Sequence, residues 1–222
     1  MIAAIPQPPA PTSPRDKADR AIFRQTRSLK GTPRWTLAQS DADLTKLLAD
    51  FDCALGAPLT AKSAPRLLAL IIKAAPDVDA AFNTPKDFYK KMRPFMRDRG
   101  AICVPRSREF DKSFDYPSGH ATWSWAIGLI LARIAPDRAP QILQRARAIG
   151  ESRVVCGVHT VSAVEAGRTA ADTVVSALAG DPAFRKDMAA AREEIVALRA
   201  SAPRPDAGVC RAEARLIAKT PW

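Results

Sequence analysis

Apolar residues in this chain recur at intervals of three and four almost everywhere, and that spacing commits it to helices. The segments DADLTKLLADF (41–51) and APRLLALIIKAA (64–75) both carry it, and the second is apolar enough to form a central helix. No convincing alternating stretch and no internal repeat interrupts the pattern. Thr84-Pro85 and Asp181-Pro182 each present a capping side chain followed by proline, the usual opening of a helix. A helix opened at Thr84 should weaken before Pro94, because proline disfavours helical geometry in the residue before it. From Arg138 to Ala179 the pattern is helical, with breaks expected near Gly150 and Gly157. The sequence thus predicts an all-α, single-domain helical bundle over residues 16–201. Residues 1–15, with five prolines, should form a flexible arm, and residues 202–222 a C-terminal tail.

The 222 residues, 47% of them hydrophobic, are enough to bury one sizeable core. The longest apolar run, Trp123 to Ala135, contains Ser124 and Arg133 and is too short to span a bilayer, so a soluble chain is expected. The formal charge of +11 favours anionic partners without choosing among nucleic acid, acidic lipid and small phosphorylated molecules. Cys53, Cys103, Cys156 and Cys210 include no CxxC pair, so a zinc knuckle is not expected, and no other metal cluster is evident. Four cysteines allow two disulfides with three connectivities, or four free thiols. Cys103 follows the Arg93 segment and Cys156 lies one turn from Arg153, which suggests Cys103–Cys156 and, by remainder, Cys53–Cys210. The opening MIAAIPQPPAPTSP lacks the basic start and apolar core of a secretory leader; either a cytoplasmic protein or a chain whose leader has been removed fits.

Three segments carry chemistry. In DYPSGH (115–120) Ser118 can cap a helix, Gly119 permits close approach to the backbone, and the first turn offers unpaired N–H groups to an anion. His120, three residues before Trp123, faces the bundle interior at its open end. In SRVVCGVH (152–159) Arg153 precedes His159 by six residues, about 240° apart on a straight helix, so both reach one ligand only if the chain bends near Gly157. In KDFYKKMRP (86–94) Lys86 and Arg93 are seven residues apart, which on a helix puts both on one face. Arg93 suits bidentate phosphate binding and Lys86 adds a point charge. Singly, each histidine is an ordinary helix position and each cation a solvated face; a shared site requires that they meet.

The ordered set Lys-x6-Arg-Pro, Pro-Ser-Gly-His and Ser-Arg-x5-His resembles the signature of the phosphatidic-acid-phosphatase type 2 and vanadium haloperoxidase superfamily. From about Pro8 to Leu198, segments such as DKADRAIFRQTRSLKGTPRW, SDADL, DYPSGH (SYPSGH in the resembled pattern), GESRVVCGVH, EAGR and DPAF are similar to the class A bacterial non-specific acid phosphatases. The resemblance implies a helical fold, a periplasmic location with the leader absent from this chain, and no cofactor or metal. It implies His159 as nucleophile and His120 as the acid and then base, with Lys86, Arg93, Arg153, Ser118 and Gly119 binding phosphate. The implied partners are small phosphomonoesters and inorganic phosphate, not nucleic acid, with no membrane span; a homo-oligomer is compatible.

One position departs from that signature. The Asp expected four residues after the nucleophile is Ala163. Glu165 points elsewhere on a helix, whereas Ser162 is on a reachable face and becomes the candidate orienting residue for His159. On that reading Ala163→Asp should raise the rate. The alternatives are a catalytically weakened phosphate-binding relative and, further off, a basic nucleic-acid-binding protein, for which no recognition motif is present. A lipid phosphatase would need membrane spans, and a vanadate-dependent peroxidase would share the same anion cradle.

Overall fold

The computed structural model describes residues 2–222, and every α-helix or short 3-10 turn in it is joined by loops, with no strand among the described residues. The helices are α1 (Pro14–Thr26), α2 (Pro33–Ser40), α3 (Asp52–Leu55), α4 (Pro65–Tyr89), α5 (Pro94–Arg97) and α6 (Arg108–Lys112). They continue with α7 (Gly119–Ile134), α8 (Ala139–Val155), α9 (Val161–Gly180), α10 (Pro182–Ser201) and α11 (Ala207–Ile217). The all-α bundle expected from the apolar spacing is the observed architecture. Its centre is α7, not α4: α7 packs chiefly on α8 and α9 and also touches α4 and α10. The reason is visible in exposure, since α4 leaves Ile72 in solvent while Ile127, Ile130, Leu131 and Ile134 of α7 are all buried.

No new helix opens at Thr84. Helix α4 runs unbroken through Pro76 and Pro85. Its stripe of Leu67, Leu70, Ile71, Ala74, Val78 and Ala81 is buried, and the large side chains gain roughly 1.5–3 kcal/mol each. That outweighs a cost of ~3 kcal/mol for each interior proline. The helix stops at Lys90, which adopts a left-handed conformation (φ 49°) ahead of Pro94. Asp181 does cap α10, accepting the Ala183 N–H, with Pro182 at the first helical position. Gly150 does not interrupt α8; it is the contact point with Val164 of α9.

Both ends of the chain are held more firmly than their composition suggests. Ile5 is buried in the core, and the Pro6 carbonyl accepts a hydrogen bond from the Tyr116 hydroxyl at 2.6 Å. The tail contains α11, capped by Asp206 and joined to α3 by the Cys53–Cys210 disulfide. Its Glu213 reaches Arg145 of α8 at 3.1 Å, and Ile217 is buried. A proline-rich approach signals loss of helix locally but says nothing of a helix beyond it. The second disulfide joins Cys103 to Cys156, and together they are the pairing suggested by the cysteines' positions.

Candidate active site

The site forms where the N-terminus of α7, the turn after α8 and the loop after α4 converge. The turn after α8 is built by Gly157 and Arg27. Gly157 has φ +80°, a conformation that favours glycine, and a Cβ there would run into the Arg27 guanidinium. Arg27 occupies that space because it donates to the carbonyls of Val154 (3.0 Å) and Val155 (2.6 Å), capping the end of the helix. The chain then folds back so that the His159 N–H reaches the Arg153 carbonyl at 3.2 Å. This is the bend that a shared ligand requires of Arg153 and His159.

His159 is 3% exposed, and its ring is held from both sides. Nδ1 lies 2.7 Å from the Asp115 carbonyl oxygen and 3.2 Å from Asp115 Oδ1, so it carries the proton and donates it. The unprotonated Nε2 faces Arg93 Nη1 at 3.1 Å. Burial first, then the charges of Arg93, Lys86 and Arg153, push the His159 pKa well below the ordinary histidine range. The ring is therefore a neutral base with its lone pair turned towards cations.

His120 sits in the first turn of α7, which Ser118 caps by accepting the Ala121 N–H. His120 Nε2 donates to the Ala42 carbonyl at 3.0 Å, leaving Nδ1 as the nitrogen that can take a proton. Burial and the Arg153 charge also drive its pKa far down. The Ala42 carbonyl is fixed from behind. Asp41 accepts from Arg145 at 2.7 Å and from the Ser152 hydroxyl, and Arg34 donates to Ser152 at 2.8 Å. The SDADL segment is thereby tied to the second histidine, a link that spacing alone did not show.

Lys86 and Arg93 are not on one helical face. Lys86 lies in the last turn of α4, while Arg93 follows the left-handed turn at Lys90 and precedes α5 in extended conformation. Arg93 nevertheless arrives beside His159, with Nη1 3.1 Å from Nε2, and the Lys86 charge is near enough to help depress the His159 pKa. Arg93 stacks on Phe110 and donates to Ser113 and to the Val158 carbonyl, which fixes its fork. Arg153 is buried with Nε and Nη1 lacking any protein partner, an arrangement that an anion would complete. Desolvation lowers the pKa of Arg93 and of Arg153 to about 10 and that of Lys86 to about 8. Ser118 is fully buried, with its N–H on the Ala163 carbonyl at 2.9 Å and its hydroxyl proton free for a ligand. At Gly119 a side chain would strike the Phe82 ring, whose face lies 5.4 Å from Lys86 Nζ; the glycine serves helix packing as much as ligand approach.

Ser162 does not reach His159. Its hydroxyl donates to Asp19 Oδ2 at 2.6 Å and accepts from Arg15 Nε at 3.0 Å. The helical face that suggested it assumed a helix running from His159, but α9 begins only at Val161, with Thr160 as its cap. The groups that spacing missed are Asp115, Lys91 and Thr160. Asp115 is fully buried, accepts from the Thr160 N–H (3.0 Å) and hydroxyl (2.7 Å), and lies 3.5 Å from Lys91 Nζ. A signal was present: a carboxylate stands at the first position of DYPSGH, where the resembled pattern has a serine.

A neutral Lys86 binds an anion less well, and its charge is lost as pH rises through about 8. For a substrate already dianionic at that pH, kcat/KM should fall above pH 8. Lys86→Arg should move that limb upward by at least about one pH unit, since guanidinium stays charged. An unchanged alkaline limb in the variant would show that Lys86 does not set it.

Known proteins resemble this chain over the segments that build the site. The PAP2 superfamily model matches residues 66–180, which span α4 to α9 and all three motifs. An acid phosphatase from Zymomonas mobilis is 42% identical over 209 residues, covering 93% of this chain and 79% of the relative. Non-specific acid phosphatases from Providencia stuartii and Salmonella typhi are 35% and 32% identical, covering 89% and 86% of this chain and 82% and 78% of the relatives. With the motifs and the relatives coinciding over most of its length, the chain belongs to the PAP2 superfamily.

Proposed function

We propose that the protein is an acid phosphatase, a phosphoric monoester hydrolase that passes the phosphoryl group through His159 without a metal ion. The observation that carries the reading is the unprotonated His159 Nε2, facing Arg93 beside the partnerless guanidinium nitrogens of Arg153. The acid phosphatase names of the relatives support the reaction class. Lys86, Arg93 and Arg153, with the Ser118 hydroxyl and the Gly119 N–H, hold the three non-bridging oxygens and meet the charge that shifts onto them in the transition state. The Nε2 lone pair forms the N–P bond as the ester P–O bond breaks, and His120 gives the leaving oxygen a proton from Nδ1. His120 then takes a proton from water, whose oxygen attacks phosphorus and releases phosphate as the N–P bond breaks.

In the empty site His120 is too weak a base to hold that proton. A phosphate ester supplies the negative charge that offsets Arg153 and Lys86, so His120 becomes an acid chiefly when substrate is present. Among the described residues no helix is long and apolar enough to cross a membrane. The two disulfides fit an oxidising compartment such as the periplasm.

The test is a panel of phosphomonoesters assayed at pH 5–6 in excess chelator. Turnover of several chemically different esters, undiminished by chelator, is expected. No activity until zinc or magnesium is restored would overturn the proposal.

A further inference from the structure

We infer that Asp115 is the positioning acid of His159, a relocated carboxylate that takes over the work of the residue missing at Ala163. The inference rests on the phosphatase reading above, with His159 as nucleophile. Its ground is geometric. Both oxygens near Nδ1 belong to Asp115: the carbonyl at 2.7 Å, which fixes the tautomer, and Oδ1 at 3.2 Å, which alone can carry negative charge. When Nε2 forms a bond to phosphorus the ring becomes a phosphoimidazolium, and its positive charge spreads to Nδ1–H. A fully buried carboxylate at that edge stabilises the charged ring more than the neutral one, so it acts on the step and not on the resting state.

The surroundings hold Oδ1 on the ring. The other oxygen, Oδ2, is taken by the Thr160 hydroxyl at 2.7 Å and approached by Lys91 Nζ at 3.5 Å. Lys91 is shared with Asp19, which lies 3.7 Å from it and fixes Ser162, so the whole cluster is braced against α1. Position 163 is adjacent. The Ala163 N–H donates to the same Thr160 hydroxyl oxygen, at 3.2 Å, and its side chain is fully buried against the core. The two departures from the resembled pattern, Asp at 115 and Ala at 163, thus meet at the Thr160 hydroxyl, and Asp115 is the one carboxylate on the imidazole.

The same geometry reverses an expectation drawn from the sequence. With Asp115 in place, an aspartate at 163 would be a second buried carboxylate beside the first, and like charges there oppose each other.

The experiment measures phosphoenzyme formation with 4-nitrophenyl phosphate in rapid-mixing bursts, and inorganic phosphate as competitive inhibitor, for the full chain and four variants. Asp115→Asn should slow phosphorylation by about 10- to 100-fold, the value of one charge-assisted hydrogen bond expressed in the transition state, with the phosphate inhibition constant within about threefold. Ala163→Asp added to Asp115→Asn should recover at least about tenfold, whereas Ala163→Asp alone should give no gain. Thr160→Val, which removes a contact to Oδ2 but leaves Oδ1 on the ring, should cost less than Asp115→Asn. His159→Ala, run alongside, separates the two proposals: full activity there would defeat the phosphatase mechanism itself. With His159 essential, the Asp115 assignment is overturned by any of three results. These are Asp115→Asn within twofold of the parent, a loss that Ala163→Asp does not restore, or a tenfold gain from Ala163→Asp alone. The last needs no substitution at Asp115 and decides the matter even if Asp115→Asn fails to fold.

Discussion

His159→Ala will lower turnover by at least about a thousandfold while leaving inorganic phosphate affinity within a factor of a few. The two quantities separate because different groups carry them. On the proposed mechanism phosphate is held by Lys86, Arg93 and Arg153, and Arg93 keeps its place through Ser113, the Val158 carbonyl and Phe110 when the imidazole is gone. On the proposed mechanism the N–P bond has no other source, since His120 keeps Nε2 on the Ala42 carbonyl and uses Nδ1 as the proton donor. A thousandfold corresponds to about 4 kcal/mol of lost transition-state stabilisation, ordinary for removal of a nucleophile. Steady-state kinetics with 4-nitrophenyl phosphate and calorimetric titration with phosphate check both halves. Turnover within tenfold of the parent would mean that the phosphoryl group goes directly to water.

The largest stability effect is expected at Arg145→Met, about 3–5 kcal/mol in urea unfolding. Arg145 is 1% exposed and serves three acids: Asp41 at 2.7 Å, Glu213 at 3.1 Å and Asp50 at 3.5 Å. Its removal leaves buried carboxylates without a counterion, a far costlier state than a missing pair. The loss should depend on pH. Burial raises the Asp50 pKa from 3.8 to about 7, against the pull of Arg145. The folded state therefore binds more protons at Asp50 than the unfolded between those values, and the Asp50 contribution to stability falls as pH rises from about 4 to about 7. Without Arg145 the Asp50 pKa climbs further and the fall continues above 7, so the variant should lose more at pH 8 than at pH 5. A deficit below about 1 kcal/mol at both pH values would mean the cluster relaxes or is wet.

The helices and the three motifs were legible because both are local patterns: the apolar spacing reports burial, and the fixed order of cations and histidines reports a shared ligand. The disulfides were legible because Cys103 follows the Arg93 segment and Cys156 lies one turn from Arg153; in the fold the Cys103 N–H meets the Cys156 carbonyl at 3.0 Å. Continuity of α4 through Pro85 was not, since it depends on a core that forms only when α7, α9 and α10 pack against it. Asp115 was hidden for a related reason. It stands 44 residues before His159, and only the turn at Gly157 brings the imidazole to it. Ser162 was misplaced by carrying helical geometry across the end of a helix.

Phosphorus is expected to bond to His159 through Nε2. The most direct measurement is to mix the protein with a phosphomonoester in chelator and quench within milliseconds into alkali, where phosphohistidine survives. The modified peptide is then identified by mass spectrometry and the isomer by phosphorus NMR. A single adduct on His159, of the Nε2 isomer, is expected, because Nδ1 is occupied by Asp115. An adduct on His120, an Nδ1 isomer, or no phosphoenzyme during full turnover would contradict it.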